Sequence, residues 1–339
     1  MSLARARGRT ASGPATLLLT RGDVAGLMDQ PAWLEAVETG FRAAAEGKAQ
    51  APPPMTLPGR NGAFHAKGAS LSLGRRYVAL KLNGNFPDNP EARGLPTIQG
   101  AILLCDGETG VLLAIMDSIE ITLRRTAAAT ALAARYLARP DSRTILVCGC
   151  GAQGRAQLEA LRDMLPLARA FAWDCRPDRA RAFARDMAMA GVSVEAVEDV
   201  AAALEADVIV TCTTARSPFL GPSQVRPGTF VAAVGADSPD KSEIEPALMA
   251  SALVVADRLD QCAAMGDLHH ALAAGMERRN VHAELADLVT GRKPGRTMQH
   301  QITLFDSTGT ALQDVASAAR IYERALGRAF PAIALGAAA

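Results

Sequence analysis

Three glycines in the middle of the chain have the type and spacing needed to bind phosphate groups. Gly149, Gly151 and Gly154 follow the pattern G-x-G-x-x-G, after an apolar run at 145–148 and before a segment with helical spacing. The first glycine permits a tight turn, the second lets backbone approach a pyrophosphate, and the third lets the helix pack on the strand. The helix start offers free N–H groups and the positive end of its dipole. The pattern predicts a dinucleotide site, with a glycine-rich structural turn as the alternative.

The residues around this turn indicate which dinucleotide it would bind. Ala152 and Gln153 lie between the glycines, and we expect them to contact the cofactor too. Asp174 ends the next apolar strand, 174 − 149 = 25 residues after the first glycine, close to the spacing of about 20 expected for a carboxylate on the adenosine ribose. Because a carboxylate repels a 2′-phosphate, it favours NAD. Arg176 could turn towards such a phosphate, so NADP stays open.

Three charged residues stand where they could act on a small anionic substrate. Lys81 interrupts an apolar strand at 77–82, where a lysine is costly unless it is paired or functional; a solvent-facing edge-strand lysine is the alternative. Arg125 precedes an Ala-rich segment, and we expect its guanidinium and a helix N-terminus at Thr126 to converge on one anion. Asp237 follows an apolar strand at its carboxyl end, where α/β sheets bind ligands. It could serve as general acid and base, or simply cap the next turn.

The composition fits a folded protein without nucleic-acid or membrane partners. At 339 residues, the chain is long enough for two domains. Its 36 basic and 35 acidic residues nearly balance, and no basic stripe is interleaved with aromatic residues, which argues against nucleic acid. No apolar run reaches the roughly 18 residues of a membrane span. The basic stretch at 5–9 has no apolar core, so we expect a frayed terminus there, as in the Ala-rich C-terminal tail.

The cysteines and histidines predict no metal site. The six cysteines include no C-x-x-C pair, and the five histidines lack ligand spacing. Scattered cysteines inside apparent strands are typical of reduced thiols in a cytoplasmic enzyme.

The order of the elements predicts two domains of different type. Up to residue 125 the chain reads as a meandering α+β domain, with a hairpin signal at 101–116. From residue 143 apolar strands and helices alternate, which implies a mostly parallel sheet with right-handed crossovers. A strand at 302–305 and a helix at 315–326 end the pattern.

Five motifs in a fixed order make the comparison with a known family specific. They are Gly-Leu-Pro-Thr-Ile-Gln-Gly at 94–100, the segment 117–131 containing Arg-Arg-Thr-Ala-Ala-Ala, the glycine turn, Val-Gly-Ala-Asp-Ser-Pro-Asp-Lys at 234–241, and the segment 305–314 beginning Phe-Asp-Ser-Thr-Gly. Together they resemble the ornithine cyclodeaminase/mu-crystallin family over about residues 20–328.

The resemblance implies an α/β fold in which a Rossmann-type nucleotide-binding domain is inserted into an α+β substrate and dimerisation domain. The expected boundaries are 1–125 for the first part of the substrate domain, 126–300 for the NAD(P)-binding domain and 301–339 for the segment that returns to the substrate domain. Family members are homodimers that move a hydride between nicotinamide and the Cα of an amino or imino acid. The resemblance favours a cyclodeaminase-like reaction through an imine, with an imine or ketimine reductase or an alanine-type dehydrogenase as alternatives. A non-catalytic, crystallin-like cofactor binder is a further alternative.

The resemblance also implies roles for individual residues. Lys81, as a catalytic and substrate-binding residue, would contact the substrate carboxylate or carbonyl, and Arg125 would hold the carboxylate or a nearby phosphate. Asp237, found as Asp in the deaminating members, would move protons at the substrate nitrogen. The family commonly has an arginine in the segment 52–58, which contains no basic residue here. Lys67 could supply that charge, and it also replaces a glutamate with which ornithine cyclodeaminases contact substrate. The remaining residues expected to line the cofactor are Thr213, Thr214, Gly235 and Ser307.

Overall fold

The computed structural model describes residues 15–335, which form two compact units. The first unit contains the described residues up to Arg125 together with those from Thr310 onward, and the second is Thr126–Gly309. The basic stretch at 5–9 and the end of the Ala-rich tail lie outside the described residues. Between residues 15 and 335, no helix combines the length and apolar character needed to cross a membrane.

The strands and helices have the following bounds. The strands are β1 (Thr16–Leu19), β2 (Ala49–Gln50), β3 (Met55–Gly59), β4 (Gly62–Leu73), β5 (Arg75–Asn85), β6 (Ile98–Asp106), β7 (Leu112–Asp117), β8 (Thr144–Cys148), β9 (Arg169–Trp173), β10 (Val194–Ala196), β11 (Val208–Thr211), β12 (Phe230–Ala233), β13 (Leu253–Ala256), β14 (Ala283–Glu284), β15 (Thr303–Asp306) and β16 (Ala332–Ile333). The helices are α1 (Arg21–Leu27), α2 (Gln30–Ala45), α3 (Asn89–Arg93), α4 (Ser118–Leu137), α5 (Ala152–Met164), α6 (Pro177–Met189), α7 (Pro246–Ser251), α8 (Leu259–Met265), α9 (Asp267–Ala273), α10 (Leu285–Val289) and α11 (Ala311–Ala325).

The first unit is built on a mixed sheet with one buried and one exposed face. Its strand order is β16-β1-β7-β6-β5-β4-β2, with β3 also paired to β4. In β5 the odd-numbered residues from Tyr77 to Asn83 are buried, whereas Val78, Leu80 and Leu82 are 38%, 46% and 44% exposed. Helix α11 packs on β4 and β5 and against α2. Because successive side chains alternate across a strand, Lys81 lies on the buried face.

Apolar side chains continue across the other face of this sheet. The register places β3, β4, β5 and β6 side by side, so that exposed side chains of neighbouring strands lie next to each other. We call this surface the open apolar face; it consists of Met55, Leu57, Phe64, Val78, Leu80, Leu82 and Leu103.

The second unit contains a wholly parallel sheet in the order β10-β9-β8-β11-β12-β15-β13-β14. The strand order reverses between β8 and β11, and ligands of such sheets bind outside the carboxyl ends of the strands at this point. Three of the central strands, β11, β12 and β15, are fully buried, as expected for a sheet covered on both faces. The predicted fold class, with a Rossmann-type domain inserted between two parts of an α+β domain, is confirmed.

Two elements differ from the sequence-based expectation. Helix α4 begins at Ser118 rather than Thr126, because the carboxylate of Asp117 accepts hydrogen bonds from the backbone N–H groups of Ile119 and Glu120 and starts the helix earlier. Strand β15 pairs with β12 and β13 in the parallel sheet, whereas the expected boundary at residue 301 places it in the substrate domain. A buried apolar strand is compatible with either sheet by its sequence pattern alone. Only the hydrogen-bonded pairing of β15 shows to which sheet it belongs.

Candidate functional site

The glycine turn of the second unit has the geometry of a phosphate cradle. Gly149 has φ +104°, and a Cβ at this position would lie 2.8 Å from the carbonyl oxygen of Cys212 at the end of the neighbouring strand. A Cβ on Gly154 would collide with the carbonyl oxygen of Gly149, so α5 packs against the turn only with glycine there. Around Gly151 nothing lies within 4 Å of the Cβ position, which leaves room for a ligand against the backbone.

Helix α5 starts directly at this open position. Gly151 is its N-cap, and no side chain caps the helix. Ala152 is exposed and Gln153 half-buried at the first turn. The first N–H groups of a helix lack intrahelical partners and carry the positive end of its dipole, so this end suits the pyrophosphate of a dinucleotide.

Asp174 lies beside the glycine turn and is fixed by backbone donors. The N–H of Cys150 donates to one carboxylate oxygen and the N–H of Arg176 to the other, each at 3.0 Å. The guanidinium of Arg176 pairs with Asp178 at 3.3 Å and is half exposed. Asp174 is therefore held at the cofactor end of β9, whereas Arg176 is occupied by an acidic neighbour.

A buried carboxylate that sequence reasoning missed holds the next two loops. Glu243 accepts hydrogen bonds from the hydroxyl of Thr211 at 2.7 Å, the N–H of Thr213 at 2.6 Å and the N–H of Gly235 at 2.9 Å. Burial, reinforced by repulsion from Asp267, raises the pKa of Glu243 to about 7. Glu243 thus positions the loops after β11 and β12, which contain three of the predicted cofactor residues, Thr213, Thr214 and Gly235. It stands two residues beyond the motif at 234–241, so only its burial reveals it.

The other predicted residues of the second unit differ in their exposure and in their hydrogen-bond partners. Thr214 is exposed, and the hydroxyl of buried Ser307 donates to Asp257 at 2.9 Å. Asp237 is half exposed and forms an ion pair with Lys241 at 2.6 Å, while the same ammonium lies 3.4 Å from the carbonyl oxygen of Gly235. Lys241 was also missed, although it stands at i+4 from the predicted acid.

The first unit contains a buried ion cluster around the predicted substrate residues. Lys81 Nζ lies 2.7 Å from Asp314 Oδ2, and Arg125 Nε donates to Asp314 Oδ1 at 3.0 Å. Arg125 Nη1 donates to Gln313 Oε1 at 2.7 Å. Lys81, Arg125 and Asp314 are 4%, 3% and 2% exposed, so water screens their charges weakly. Arg125 occupies the interior of α4 and is not at a helix start, which corrects the expected convergence with a helix N-terminus.

Lys67 belongs to the same cluster. It is the direct cross-strand partner of Lys81 in the β4–β5 pair, so both side chains lie on the buried face. Lys67 itself is half-buried. We call Lys67, Lys81, Arg125, Gln313 and Asp314 the cationic cluster.

The charges of this cluster shift one another's protonation equilibria. Burial lowers the pKa of Lys81 to about 7, with Arg125 and Lys67 adding to the decrease and Asp314 opposing it. Burial alone would raise the pKa of Asp314, but attraction to Lys81 and Arg125 outweighs it and holds that pKa below its usual value. Asp314 is therefore an anion in the folded protein.

At the start of α11, Gln313 and Thr310 each have a buried hydrogen-bonding group without a partner among the described residues. Gln313 Oε1 accepts from Arg125, which fixes the orientation of the amide, and Gln313 Nε2 has no partner within the described residues. The hydroxyl of fully buried Thr310, the N-cap of α11, likewise has none there. An unpaired buried polar group costs about 1–3 kcal/mol, so these groups fit a site that a polar ligand completes.

The predicted residues fall into two groups. Lys67, Lys81 and Arg125 come together in the first unit, whereas the cofactor residues and Asp237 belong to the second. Sequence reasoning missed Asp314 and Gln313, although a polar pair inside the apolar pattern of α11 is a signal of buried function. In the part of the chain between residues 15 and 335, no group of three His, Cys, Asp or Glu side chains could hold a metal ion.

Comparison with known proteins identifies the family of this chain. The model of the ornithine cyclodeaminase/mu-crystallin family matches residues 15–329.

Three solved structures are similar over almost the whole chain. An archaeal alanine dehydrogenase dimer with bound NAD shares 38% identity and a TM-score of 0.89, covering 95% of this chain and 99% of that one. Delta(1)-pyrroline-2-carboxylate reductase of Thermococcus litoralis, in complex with NADH and L-proline, shares 32% identity and a TM-score of 0.90, covering 94% and 100%. Iminosuccinate reductase of Paracoccus denitrificans, in complex with NAD+, shares 33% identity and a TM-score of 0.85, covering 92% and 96%.

Proposed function

The chain belongs to the ornithine cyclodeaminase/mu-crystallin family, and we propose that it is an NAD-dependent oxidoreductase acting at the Cα–N bond of a small amino or imino acid. Imine reduction and amino-acid dehydrogenation are the two directions of that reaction. Similar proteins that act as an alanine dehydrogenase and as imine reductases support this reaction class.

The observation that carries the proposal is the buried pair of cations around Asp314. Lys81 and Arg125 are each held by this carboxylate at 2.7 and 3.0 Å, so their positions are set before a ligand arrives. Preorganised cations in a site that excludes water bind an anion more strongly than exposed ones. We assign the α-carboxylate of the substrate to Lys81 and Arg125.

The second unit supplies the residues that would hold NAD. The cradle fits a dinucleotide because Gly151 leaves its backbone open and α5 begins there without a side-chain cap. Bound NAD would supply the hydride acceptor in one direction and the hydride donor in the other. The residues assigned to the cofactor are Gly149, Gly151, Ala152, Gln153, Gly154, Asp174, Arg176, Thr213, Thr214, Gly235 and Ser307.

Asp237 is the proposed proton-exchanging group. Its carboxylate pairs with Lys241 at 2.6 Å, which fixes it in one orientation while leaving it half exposed. A carboxylate of this kind can take a proton from the substrate nitrogen and return it. Lys241 is then a positioning residue, since it acts through Asp237.

A cyclodeaminase is the second candidate. The acid in the sequence Gly235-Ala-Asp-Ser-Pro239 favours it, because deaminating members of the family carry Asp at this position. In that reaction a side-chain amine would attack the imine and ammonia would leave.

We further propose a homodimer that uses the open apolar face. Its seven apolar side chains form a continuous surface on four neighbouring strands, and such surfaces on soluble proteins mark interaction sites. A second copy is the proposed occupant because the similar archaeal alanine dehydrogenase is a dimer.

All six cysteines are free, which suits the reducing cytoplasm.

The deciding experiment follows NADH and ammonia together. The protein would be incubated with NAD+ and a panel of L-amino acids, and in reverse with NADH, ammonium and a panel of 2-oxo acids or with cyclic imines. NADH formed together with ammonia, or NADH consumed by an imine, is the expected result. Ammonia released without net NADH would establish the cyclodeaminase instead, and cofactor binding with no turnover in any assay would contradict the proposal.

A further inference from the structure

A cavity of about 670 Å³ opens at the edge of the parallel sheet opposite the glycine turn, a volume within the range of about 300–1,000 Å³ typical of small-molecule sites. Residues at or just before the first residue of four strands line it, among them Pro227, Leu253, His282 and Ile302. Because the sheet is wholly parallel, the amino ends of β12 to β15 share one edge, whereas the glycine turn follows the carboxyl end of β8. We call this site the amino-edge cavity; it belongs entirely to the second unit.

The charged residues around the amino-edge cavity are all basic. Arg279, Lys293, His282 and His300 line it, and no acidic residue of the described chain does. Arg279 pairs with Glu277 at 2.7 Å, but these side chains are 77% and 58% exposed, and such a surface pair contributes little. Its guanidinium can therefore turn to a ligand. Lys293 and His300 are exposed at the rim. The cavity thus attracts anions.

Two amide side chains add hydrogen-bond donors to the same wall. Asn280 Oδ1 accepts from the backbone N–H of Glu277 at 2.9 Å. Gln301 Oε1 accepts from the backbone N–H groups of Thr297 and Met298, each at 3.1 Å. Because a backbone N–H only donates, these contacts fix which end of each amide is the oxygen. The other end is an NH2 group, which donates and does not accept, so both amides suit a ligand rich in acceptor oxygens.

The segment 290–302, which forms one wall of the cavity, is fixed in place. Among the described residues, Arg296 donates to four backbone carbonyl oxygens, one of them that of Gln301, and to one threonine hydroxyl. All five acceptors are uncharged, so the guanidinium adds a positive charge behind this wall. His282 Nε2 donates to the carbonyl oxygen of Pro294 at 2.8 Å and ties the opposite wall to the segment. The donors of the cavity are therefore positioned before a ligand arrives.

Apolar side chains form the inner part of the cavity. Leu253, Val281 and Ile302 are half-buried there, beside Pro227 at the rim. Val281 and Ile302 also pack against the apolar core of the second unit. An inorganic anion would contact the basic rim and leave this apolar surface in water. A ligand with an apolar body as well as an anionic group would cover both.

We infer that the amino-edge cavity binds a small organic phosphate, in which the phosphate is attached to a ring-sized body. Arg279 and Lys293 bind the phosphate, the NH2 groups of Asn280 and Gln301 donate to its oxygens, and the ring lies on the apolar inner surface. A phosphate monoester fits better than a carboxylate because it has three acceptor oxygens and a charge of about −1.5 to −2. A guanidinium also matches phosphate geometry.

The test is a calorimetric titration with phenyl phosphate, a ring attached to one phosphate. The protein is saturated with NADH so that the glycine turn is occupied, and the ionic strength is held constant. Inorganic phosphate and phenol, which represent the two halves of the probe, are titrated in parallel. Because binding is measured and not turnover, the outcome is independent of the proposed reaction.

The variants remove one cation at a time. They are Lys293→Met, Arg279→Gln and the charge-retaining Lys293→Arg, with Lys48→Met, an exposed lysine of the first unit, as the matched control. Because Lys293 and Arg279 are exposed, their replacement should leave the thermal unfolding temperature unchanged, which is measured for each variant.

We expect phenyl phosphate to bind the wild type about 10-fold more tightly than inorganic phosphate, owing to the buried ring surface, and phenol to bind much more weakly. Lys293→Met and Arg279→Gln should each weaken phenyl phosphate by about 10-fold or more, as for a lost hydrogen bond between charged groups. Lys293→Arg should keep most of the affinity, and Lys48→Met should match the wild type.

Three results would overturn the inference. Unchanged affinity in both Lys293→Met and Arg279→Gln would place the bound phenyl phosphate elsewhere on the protein. Equal affinities for phenyl phosphate and inorganic phosphate would reject the organic body. Absence of binding heat with millimolar phenyl phosphate would reject the site.

Discussion

The protonation state of a single buried amine controls the proposed anion site. Lys81 attracts a carboxylate only in its charged form, and burial has brought its pKa to about 7. Below that pH the amine is protonated and positive, whereas above it the amine is neutral and the attraction is lost. A bound carboxylate favours the charged form of Lys81 and therefore shifts its protonation equilibrium back towards the protonated amine.

We therefore expect kcat/KM for a carboxylate substrate to fall as pH rises through about 7. This quantity reports the free enzyme, whereas kcat reports the complex, whose limb should lie at higher pH. The measurement is a pH–rate profile of the wild type and of Lys81→Arg. A guanidinium stays charged, so the decrease of kcat/KM with rising pH should vanish in Lys81→Arg. A decrease that persists in this variant would belong to another titrating group.

Asp174 should decide between the two nicotinamide cofactors. Its carboxylate is fixed by two backbone donors, so a ribose hydroxyl would meet a preorganised acceptor. We expect Asp174→Ser to weaken NADH binding by about 10-fold or more, the usual cost of a hydrogen bond to a charged group, and to leave NADPH binding unchanged or tighter. Fluorescence titration with both cofactors measures this. Asp163→Asn, which alters an exposed acid of the same unit that pairs with Arg162, is the control, and equal weakening of both cofactors by Asp174→Ser would contradict the assignment.

At the scale of single residues, the sequence revealed residues whose burial is costly, but it did not reveal the partners that make this burial tolerable. Lys81 stood out because a lysine within an apolar strand requires a reason. Asp314, its counter-ion, is 314 − 81 = 233 residues further along the chain. No local pattern connects residues so far apart, and only the packing of α11 on β5 brings them together.

Among the elements, the parallel sheet was the easiest to predict and α4 the hardest to place. Apolar runs, helical periodicity and the glycine turn identify most of its strands and crossovers, whereas β15 is assigned to this sheet only by its pairing. The start of α4 depended on a side chain, Asp117, whose capping role competes with its place at the end of β7. As a result, the expected helix N-terminus at Thr126, directly after Arg125, was wrong.

Glu243 connects the two loops at the cofactor edge, and its replacement should loosen both. We expect Glu243→Gln to weaken NADH binding by about 10-fold, since one buried acceptor of three hydrogen bonds loses its charge. The comparison is made by fluorescence titration against Glu245→Gln, an acid two residues away. Unchanged NADH affinity in Glu243→Gln would show that the loops keep their positions without this carboxylate.

The same residue should make folding stability depend on pH. The pKa of Glu243 in the folded protein, about 7, is higher than its ordinary value of 4.5, so the folded state binds more protons than the unfolded state between these two pH values. Its contribution is therefore fully present below the lower value and is lost as pH rises through the upper one. Urea denaturation of the wild type should show a decrease over that window that is smaller in Glu243→Gln, and an equal decrease in both proteins would exclude Glu243 as its source.

At the scale of the whole molecule, the open apolar face should determine the assembly. Leu80 stands at its centre and is 46% exposed. We expect Leu80→Glu to convert a dimer into monomers, because a charge buried at an apolar interface is unpaired and costs several kcal/mol. Light scattering after size-exclusion chromatography gives the mass. Met189→Glu, at an 82% exposed position of α6, is the control, and a dimer that survives Leu80→Glu would place the interface elsewhere.

The discontinuous first unit has a consequence for how the protein is made. Lys81 and Arg125 leave the ribosome early, but their counter-ion Asp314 belongs to α11, near the end of the chain. At about 5–20 residues per second, synthesis of the intervening stretch lasts roughly 10 to 50 seconds, during which these two cations have no native anion. The inserted second unit can complete its sheet in that interval, since β8 to β15 are all translated before α11. The proposed anion site is thus completed only late in synthesis, and a chain terminated before α11 would contain the whole nucleotide-binding unit while lacking the carboxylate that holds Lys81 and Arg125.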